Sequence, residues 1–106
     1  MPAETIRFGL KETTINQINA VFSRYPEIEK AIIYGSRAKG NYRNGSDIDI
    51  TLFGNELTHE QLNRIESQLD DLLLPYSIDL SLFKYIDALD LIHHINTVGH
   101  IFYLPL

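Results

Sequence analysis

Two acidic side chains two positions apart are the first feature of this sequence that could do chemistry. Asp47 and Asp49 alternate with Ile48 and Ile50. In a β-strand, alternate side chains point to the same face, here with Cβ atoms about 6–7 Å apart. Carboxylate oxygens suit Mg²⁺, and such a pair can share two ions about 3.5–4 Å apart, as in phosphoryl transfer. The alternative is an exposed strand with a polar outer face.

A glycine-rich segment, residues 35–40, precedes this acidic pair. Glycine lets a ligand approach the backbone closely, and amides at the start of a helical turn can meet phosphate oxygens. Ser36 adds a hydroxyl donor, while Arg37, Lys39 and Arg43 form a basic cluster in a chain of net charge −5. The segment therefore fits a phosphate site, although a turn with solvated charges is the simpler alternative.

A third carboxylate stands in a second alternating run. Ser77, Asp79 and Ser81 share one face of that run, and its opposite face is apolar. A lone aspartate in a strand is usually solvated. If this strand lies beside the one that carries Asp47 and Asp49, however, we expect the three carboxylates to converge.

The sequence pattern predicts the elements that must position these residues. The first is a helix with a capping box at Thr14 and Gln17 that ends at Pro26, and strands over 31–34 and 47–53 follow it. A second helix runs from Thr58, with its capping partner Gln61, to Pro75, and a strand over 77–83 follows. The last two elements are a helix over about 86–98 with a left-handed cap at Gly99 and a strand over 100–104. This order predicts an α/β (α+β) domain, with helices packed on a small mixed sheet. The link between the first two strands is too short for a helical crossover, so we expect them to be antiparallel.

Composition limits the possible functions. A chain of 106 residues, 44% of them hydrophobic, predicts a single globular domain over 1–106. The acidic balance argues against strong direct binding to nucleic acid. There is no cysteine, no visible signal peptide and no run of about 20 apolar residues, so we expect a cytoplasmic protein without membrane contact.

Together these motifs resemble the nucleotidyltransferase family of the polymerase β type. The family pattern GSxAxG followed by SDxD is matched by Gly35, Ser36, Ala38, Gly40, Ser46, Asp47 and Asp49. Asp79 matches the third acidic position, and the resemblance covers about residues 12–104. It implies the polymerase β-like fold. The size is similar to that of the minimal nucleotidyltransferase (MNT) group, which is often paired with a HEPN-domain partner in prokaryotic toxin–antitoxin modules.

The resemblance also implies a role for each residue. Gly35 and Ser36 would hold the β and γ phosphates of a nucleoside triphosphate, with ATP expected. The remaining predicted nucleotide contacts are Arg37, Lys39 and Ser46. Asp47 and Asp49 would bind two Mg²⁺ ions, and Asp79 would bind the metal beside the incoming hydroxyl and help to remove its proton.

The reaction that the resemblance implies is in-line attack of a hydroxyl on the α-phosphorus, with pyrophosphate as the leaving group. The acceptor is expected to lie on a HEPN-domain protein, which makes this chain the adenylyltransferase and antitoxin of a hetero-oligomer. Two alternatives remain open at this point. One is a non-catalytic module that neutralises its partner by contact, and the other is an aminoglycoside-type enzyme that modifies a small molecule.

Three further side chains have open assignments. His93 and His94 are adjacent on a predicted helix, where neighbouring side chains diverge, so we do not expect them to share a metal ion. One of them should face solvent, and the other should face the core or an interface. Tyr42 could stack on a nucleobase or be an ordinary exposed residue.

Overall fold

A computed structural model describes residues 5–105 of the chain. The elements in chain order are β1 (Ile6–Arg7), β2 (Leu10–Lys11), α1 (Glu12–Phe22), β3 (Lys30–Tyr34), α2 (Gly35–Lys39), β4 (Ile48–Phe53), α3 (His59–Asp70), β5 (Ile78–Leu82), a 3₁₀ turn (Phe83–Tyr85), α4 (Leu89–Val98) and β6 (His100–Tyr103). None of the helices within this described range is long and apolar enough to cross a membrane.

Four of the strands form one mixed sheet in the order β5–β4–β3–β6. β3 is antiparallel to both β4 and β6, whereas β4 and β5 are parallel and are joined by α3. The predicted mixed sheet, with an antiparallel pair at its start, is therefore confirmed. β1 and β2 form a separate antiparallel hairpin, which the sequence pattern did not predict.

One face of the sheet is covered by α1 and α3 and holds the main hydrophobic core. Its strand residues alternate as predicted, so that every second side chain points inward. The central buried members are Ile15, Ile18, Phe22, Ala31, Ile33, Ile48, Ile50, Leu52, Ile65, Leu80, Leu82 and Phe102. This apolar layer fixes the register of β3, β4 and β5, because a slip of one residue would turn the whole set outward.

The opposite face is only partly covered. α4 packs there through Ile95 on Ile32 and Tyr34, with Phe53 and Phe83 at the margin. The two phenyl rings stack with centroids 4.2 Å apart. This smaller cluster holds α4 over β3, whereas the same face of β4 and β5 carries the polar side chains of Asp49, Thr51, Asp79 and Ser81.

Of the two capping boxes predicted from the sequence, the structure contains one. At α3 the predicted capping box is confirmed: Gln61 N–H donates to Thr58 Oγ1 over 3.1 Å, and Thr58 N–H donates to Gln61 Oε1 over 3.2 Å. The predicted cap at Thr14 is wrong, because α1 already begins at Glu12. The Glu12 amide finds its partner in the Thr5 carbonyl, 2.9 Å away, so the hairpin backbone replaces a side-chain cap.

Three predicted helix ends also differ from the structure. α1 and α3 stop at Phe22 and Asp70, several residues before the prolines that were expected to end them. Gly99 is not a left-handed cap, since its φ is −65°. A Cβ there would lie 2.6 Å from Ile32 Cγ2 and would also meet the Ile95 carbonyl, so glycine is required by close packing of the helix end on β3.

Candidate active site

The acidic residues meet at one end of β4 and β5. Asp49 and Asp79 are each the second residue of their strand, and they are paired in the parallel register. Paired residues in a ladder point to the same face, so the two carboxylates are neighbours on the face that α4 only partly covers. Tyr34, the last residue of β3, is paired with Asp49 from the other side. The predicted juxtaposition of Asp79 with Asp49 is thus present.

The glycine turn lies directly against this carboxylate pair. Gly35 has φ +74°, a conformation that side chains disfavour, and a Cβ at this position would run into Asp49 Oδ2. Only glycine lets the chain leave β3, pass the carboxylate and enter α2. Ser36 follows as the next residue of that turn and is partly exposed.

Burial and neighbouring negative charges together raise the pKa values of two groups in the site. Partial burial, Asp79 and Asp47, in that order, raise the pKa of Asp49, while His94 acts in the opposite direction. The pKa of the Tyr34 hydroxyl is also raised, first by burial and then by the two neighbouring carboxylates, against the lowering effect of a hydrogen bond with Ser81. The site would therefore be relieved of repulsion by a bound cation.

Asp47 differs from the other two acidic residues. It lies just before β4 begins at Ile48, not within the strand as predicted. Its side chain is exposed, as is that of Asp79. It is nevertheless close enough to contribute to the raised pKa of Asp49. The structure thus pairs Asp49 with Asp79 in the sheet and leaves Asp47 at its rim.

His94 belongs to this site, which the sequence interpretation did not identify. The Gly35 N–H donates to His94 Nε2 over 3.0 Å, so this ring nitrogen is the acceptor in the contact. The imidazole also meets the Tyr34 ring edge-on at 6.1 Å. The available signal was the helical spacing, because His94 lies three residues after Leu91 and next to Ile95, within the stripe that faces the sheet. Its neighbour His93 is exposed.

The basic and hydroxyl residues predicted to contact a nucleotide are placed differently from one another. Lys39 is exposed at the end of α2. Ser46 Oγ accepts from the Arg43 amide at 2.8 Å and so closes the loop before β4. Arg37 is buried, with 3% of its surface exposed, and its guanidinium is bound to backbone carbonyls. Gly35 offers no open amide either, since that N–H is bound to His94.

A polar layer supports the carboxylates one step further along the strands. Thr51 is fully buried, and Ser81 Oγ donates to Thr51 Oγ1 over 2.9 Å. These two residues are paired in the register immediately behind Asp49 and Asp79. Both hydroxyls are thereby hydrogen-bonded between β4 and β5, as buried polar groups require.

The donor chemistry of the site fits a divalent cation held jointly with a ligand. Within residues 5–105, no group of three or more His, Cys, Asp or Glu side chains is arranged to hold a metal ion by itself. Mg²⁺ usually takes one or two carboxylates together with water and substrate phosphates, rather than a complete protein cage. The adjacent oxygens of Asp49 and Asp79, with raised proton affinity at Asp49, suit that mode of binding.

Comparison with family models identifies the family of this chain. The family model described as "Polymerase beta, Nucleotidyltransferase" matches residues 16–104. The chain belongs to this nucleotidyltransferase family. The matched range includes the glycine turn and all three acidic positions. No curated protein shows a significant sequence match.

Solved structures share the fold of this nucleotidyltransferase domain. A chain of a toxin–antitoxin crystal structure with AMP-PNP superposes with a TM-score of 0.68 at 21% identity, over 90% of this chain and 74% of that one. A chain of the MntA–HepT toxin–antitoxin gives a TM-score of 0.66 at 18% identity, over 89% and 73%. A third is the Shewanella oneidensis complex of a tri-AMPylated HEPN toxin with its MNT antitoxin, with a TM-score of 0.65 at 18% identity, over 88% and 71%. At these identities the likeness concerns the fold.

Proposed function

We propose that this chain is a Mg²⁺-dependent nucleotidyltransferase that transfers AMP from ATP to a hydroxyl of a HEPN-domain protein. The observation that carries the proposal is the pairing of Asp49 with Asp79 against the Gly35 turn. Family membership supports the reaction class. The shared fold with an MNT antitoxin, whose HEPN partner is tri-AMPylated, supports the nucleotide and the kind of acceptor.

In this proposal the nucleotide lies along the rim formed by the glycine turn and the carboxylates. Ser36 and Lys39 contact its phosphates, and Asp47, Asp49 and Asp79 bind the metal. The chemistry that Mg²⁺ supplies when bound is neutralisation of the charge that develops on the attacking and leaving oxygens. Asp79 stands next to the incoming hydroxyl and accepts its proton. The acceptor oxygen bonds to the α-phosphorus as the bond to the β-phosphate breaks, and pyrophosphate leaves.

In this proposal the partner protein positions the acceptor hydroxyl over the carboxylates. Positioning of two reactants contributes much of the rate of such a transfer, and the carboxylates lie on an open face of the sheet. A HEPN-domain protein docked over this face would present the acceptor hydroxyl. We therefore expect this chain to act within a hetero-oligomer.

The test is an adenylyl-transfer assay with the HEPN-domain protein encoded beside this chain. With Mg²⁺ and ATP labelled on the α-phosphate, we expect label in the partner, and none with chelator or with ATP labelled on the γ-phosphate. Asp49→Asn should reduce labelling by about 100-fold or more. The matched control is Asp71→Asn, which makes the same carboxylate-to-amide change at an exposed residue at the end of α3, and with this variant we expect normal labelling of the partner. Failure to label a partner that forms a stable complex with the chain would contradict the proposal.

A second candidate is favoured by one observation. Because the Gly35 amide is already bound to His94 and is not free to meet a phosphate, the domain could neutralise its partner by contact alone. Asp49→Asn separates the two functions: neutralisation of the toxin survives this change if contact suffices and is lost if adenylyl transfer is required.

A further inference from the structure

Arg37 is buried without an acidic partner. Its side chain is 3% exposed, and in the described part of the chain no carboxylate lies within salt-bridge distance of it. A buried charge is costly unless it is fully hydrogen-bonded. Two backbone carbonyls meet part of that need: Arg37 Nε donates to Ser46 O over 3.0 Å, and Nη1 donates to Phe8 O over 2.9 Å.

Two aromatic rings complete the environment of the guanidinium. Its carbon lies 5.3 Å from the centroid of Tyr42 and 4.9 Å from the centroid of Tyr76. Both distances are within the range of attraction between a cation and an aromatic face. We call this group, made of Arg37 with Phe8, Tyr42, Ser46 and Tyr76, the Arg37 clasp.

The residues of the clasp flank the candidate active site. Ser46 immediately precedes Asp47, and Tyr76 lies three residues before Asp79. Arg37 itself follows the Gly35 turn directly. A single side chain thus ties together the three segments that carry the predicted site residues, and through Phe8 it adds the N-terminal hairpin. An arginine engaged in this way cannot contact a phosphate without giving up these bonds.

We propose that Arg37 is a positioning residue, which holds the segments bearing Asp47 and Asp79 in place beside the Gly35 turn. The inference rests on the proposed function, because it assigns Arg37 a role in that same site. Lysine could not replace it, since the planar guanidinium makes two hydrogen bonds in different directions and also lies over two aromatic rings.

A substitution in the hairpin of β1 and β2 offers a second way to disturb the clasp. Gly9, in the turn between β1 and β2, has φ +72°, and a Cβ there would lie 2.9 Å from Arg37 Nη1 and overlap the Tyr42 ring. Both obstacles are ends of side chains, so Gly9→Ala would displace them. This change lies outside the proposed nucleotide and metal contacts. At φ +72° an alanine also strains the turn between β1 and β2, and its route to the site is the clasp.

Arg37→Lys is the decisive variant, with Arg24→Lys as a matched control at an exposed arginine. The first readout is hydrogen exchange at Ile48, whose amide donates to Ser77 O over 2.9 Å and so joins the two acidic segments. We expect about three- to tenfold faster exchange in Arg37→Lys and no change in Arg24→Lys. The second readout is Mn²⁺ binding followed by electron paramagnetic resonance without nucleotide, which should weaken about tenfold or more.

The outcomes separate the two proposals. Wild-type exchange and wild-type Mn²⁺ affinity in Arg37→Lys, with an effect only on the KM for ATP, would make Arg37 a phosphate ligand and overturn the inference while leaving the proposed function intact. Absence of Mn²⁺ binding in the wild type and Arg24→Lys, at millimolar metal, would overturn both. If Arg37→Lys does not fold, as judged by circular dichroism, Gly9→Ala decides: faster Ile48 exchange supports the inference and unchanged exchange refutes it.

Discussion

The two faces of the four-stranded sheet divide stability from chemistry. The face under α1 and α3 is apolar along its whole length, and its central residues Ile33, Ile48 and Ile50 are fully buried. The opposite face is apolar only where α4 packs, and it ends in the row that contains Asp49 and Asp79. Since alternate residues of one strand serve both faces, Ile50 stabilises the fold while its neighbour Asp49 adds repulsion to it. The comparison shows that the residues which stabilise the fold and the residues of the candidate site are different residues, on opposite faces of the same strands.

The largest expected effect is on the closed face. Ile33→Ala should lower the free energy of unfolding by about 2–5 kcal/mol, because it removes buried methyl groups and leaves a cavity. Ile101→Ala, on the edge strand β6 and 44% exposed, is the control and should change it by less than about 0.5 kcal/mol. Urea denaturation measures both. Similar losses from the two variants would contradict the division between the faces.

The next effect belongs to the open face. Asp79→Asn should reduce label transfer by about 100-fold while the protein stays folded, because it removes the proton acceptor without removing volume. The measurement is the initial rate with the HEPN-domain partner, with urea denaturation as the check on folding. A rate above about a tenth of the wild-type value would show that Asp79 is not part of the reacting site.

A smaller loss is expected where α4 touches the site. His94→Leu deletes the acceptor for the Gly35 amide, a hydrogen bond worth about 0.5–1.5 kcal/mol, and should slow transfer about three- to tenfold. His94→Gln keeps an acceptor and should recover part of the rate. His93→Leu, one position away and exposed, is the matched control. Equal effects of the two leucine variants would mean that the helix, and not the hydrogen bond, is responsible.

The smallest effect is a pH dependence of stability. The pKa of Asp49 is raised above its ordinary 3.8 in the folded protein, so folding favours the protonated form. Its contribution is therefore present at pH below 3.8 and is lost as pH rises through the raised pKa. We expect Asp49→Asn to have the same Tm as the wild type at low pH and a Tm higher by less than about 5 °C at neutral pH. A Tm difference of the opposite sign would contradict the burial and repulsion described for Asp49.

Much of the fold followed from periodicity. The alternation in β4 and β5 predicted which face carries the acidic residues, and the capping box at Thr58 predicted the start of α3. The hairpin formed by β1 and β2 escaped prediction because strands of two residues contain no repeat. The cap at Thr14 was wrongly predicted because the Glu12 amide is satisfied by a backbone carbonyl from that same hairpin.

The candidate site was only partly predictable, because residue type does not determine environment. The spacing of Asp47 and Asp49 indicated the acidic pair, and the parallel register then brought Asp79 to Asp49. Nothing in the sequence distinguishes the buried Arg37 from the exposed Lys39 two positions later. Their difference arises from carbonyls and rings contributed by distant segments, and such long-range contacts leave no local pattern.

The parallel pairing of β4 with β5 has a consequence for biosynthesis. A parallel neighbour can be reached only by a crossover, here α3, so Asp49 leaves the ribosome well before the strand that carries Asp79. The antiparallel ribbon of β3 and β4 can form first, with one carboxylate and the glycine turn already in contact. A nascent chain halted before β5 would therefore display half of the acidic pair, and it would acquire the other half only once translation had passed through the crossover.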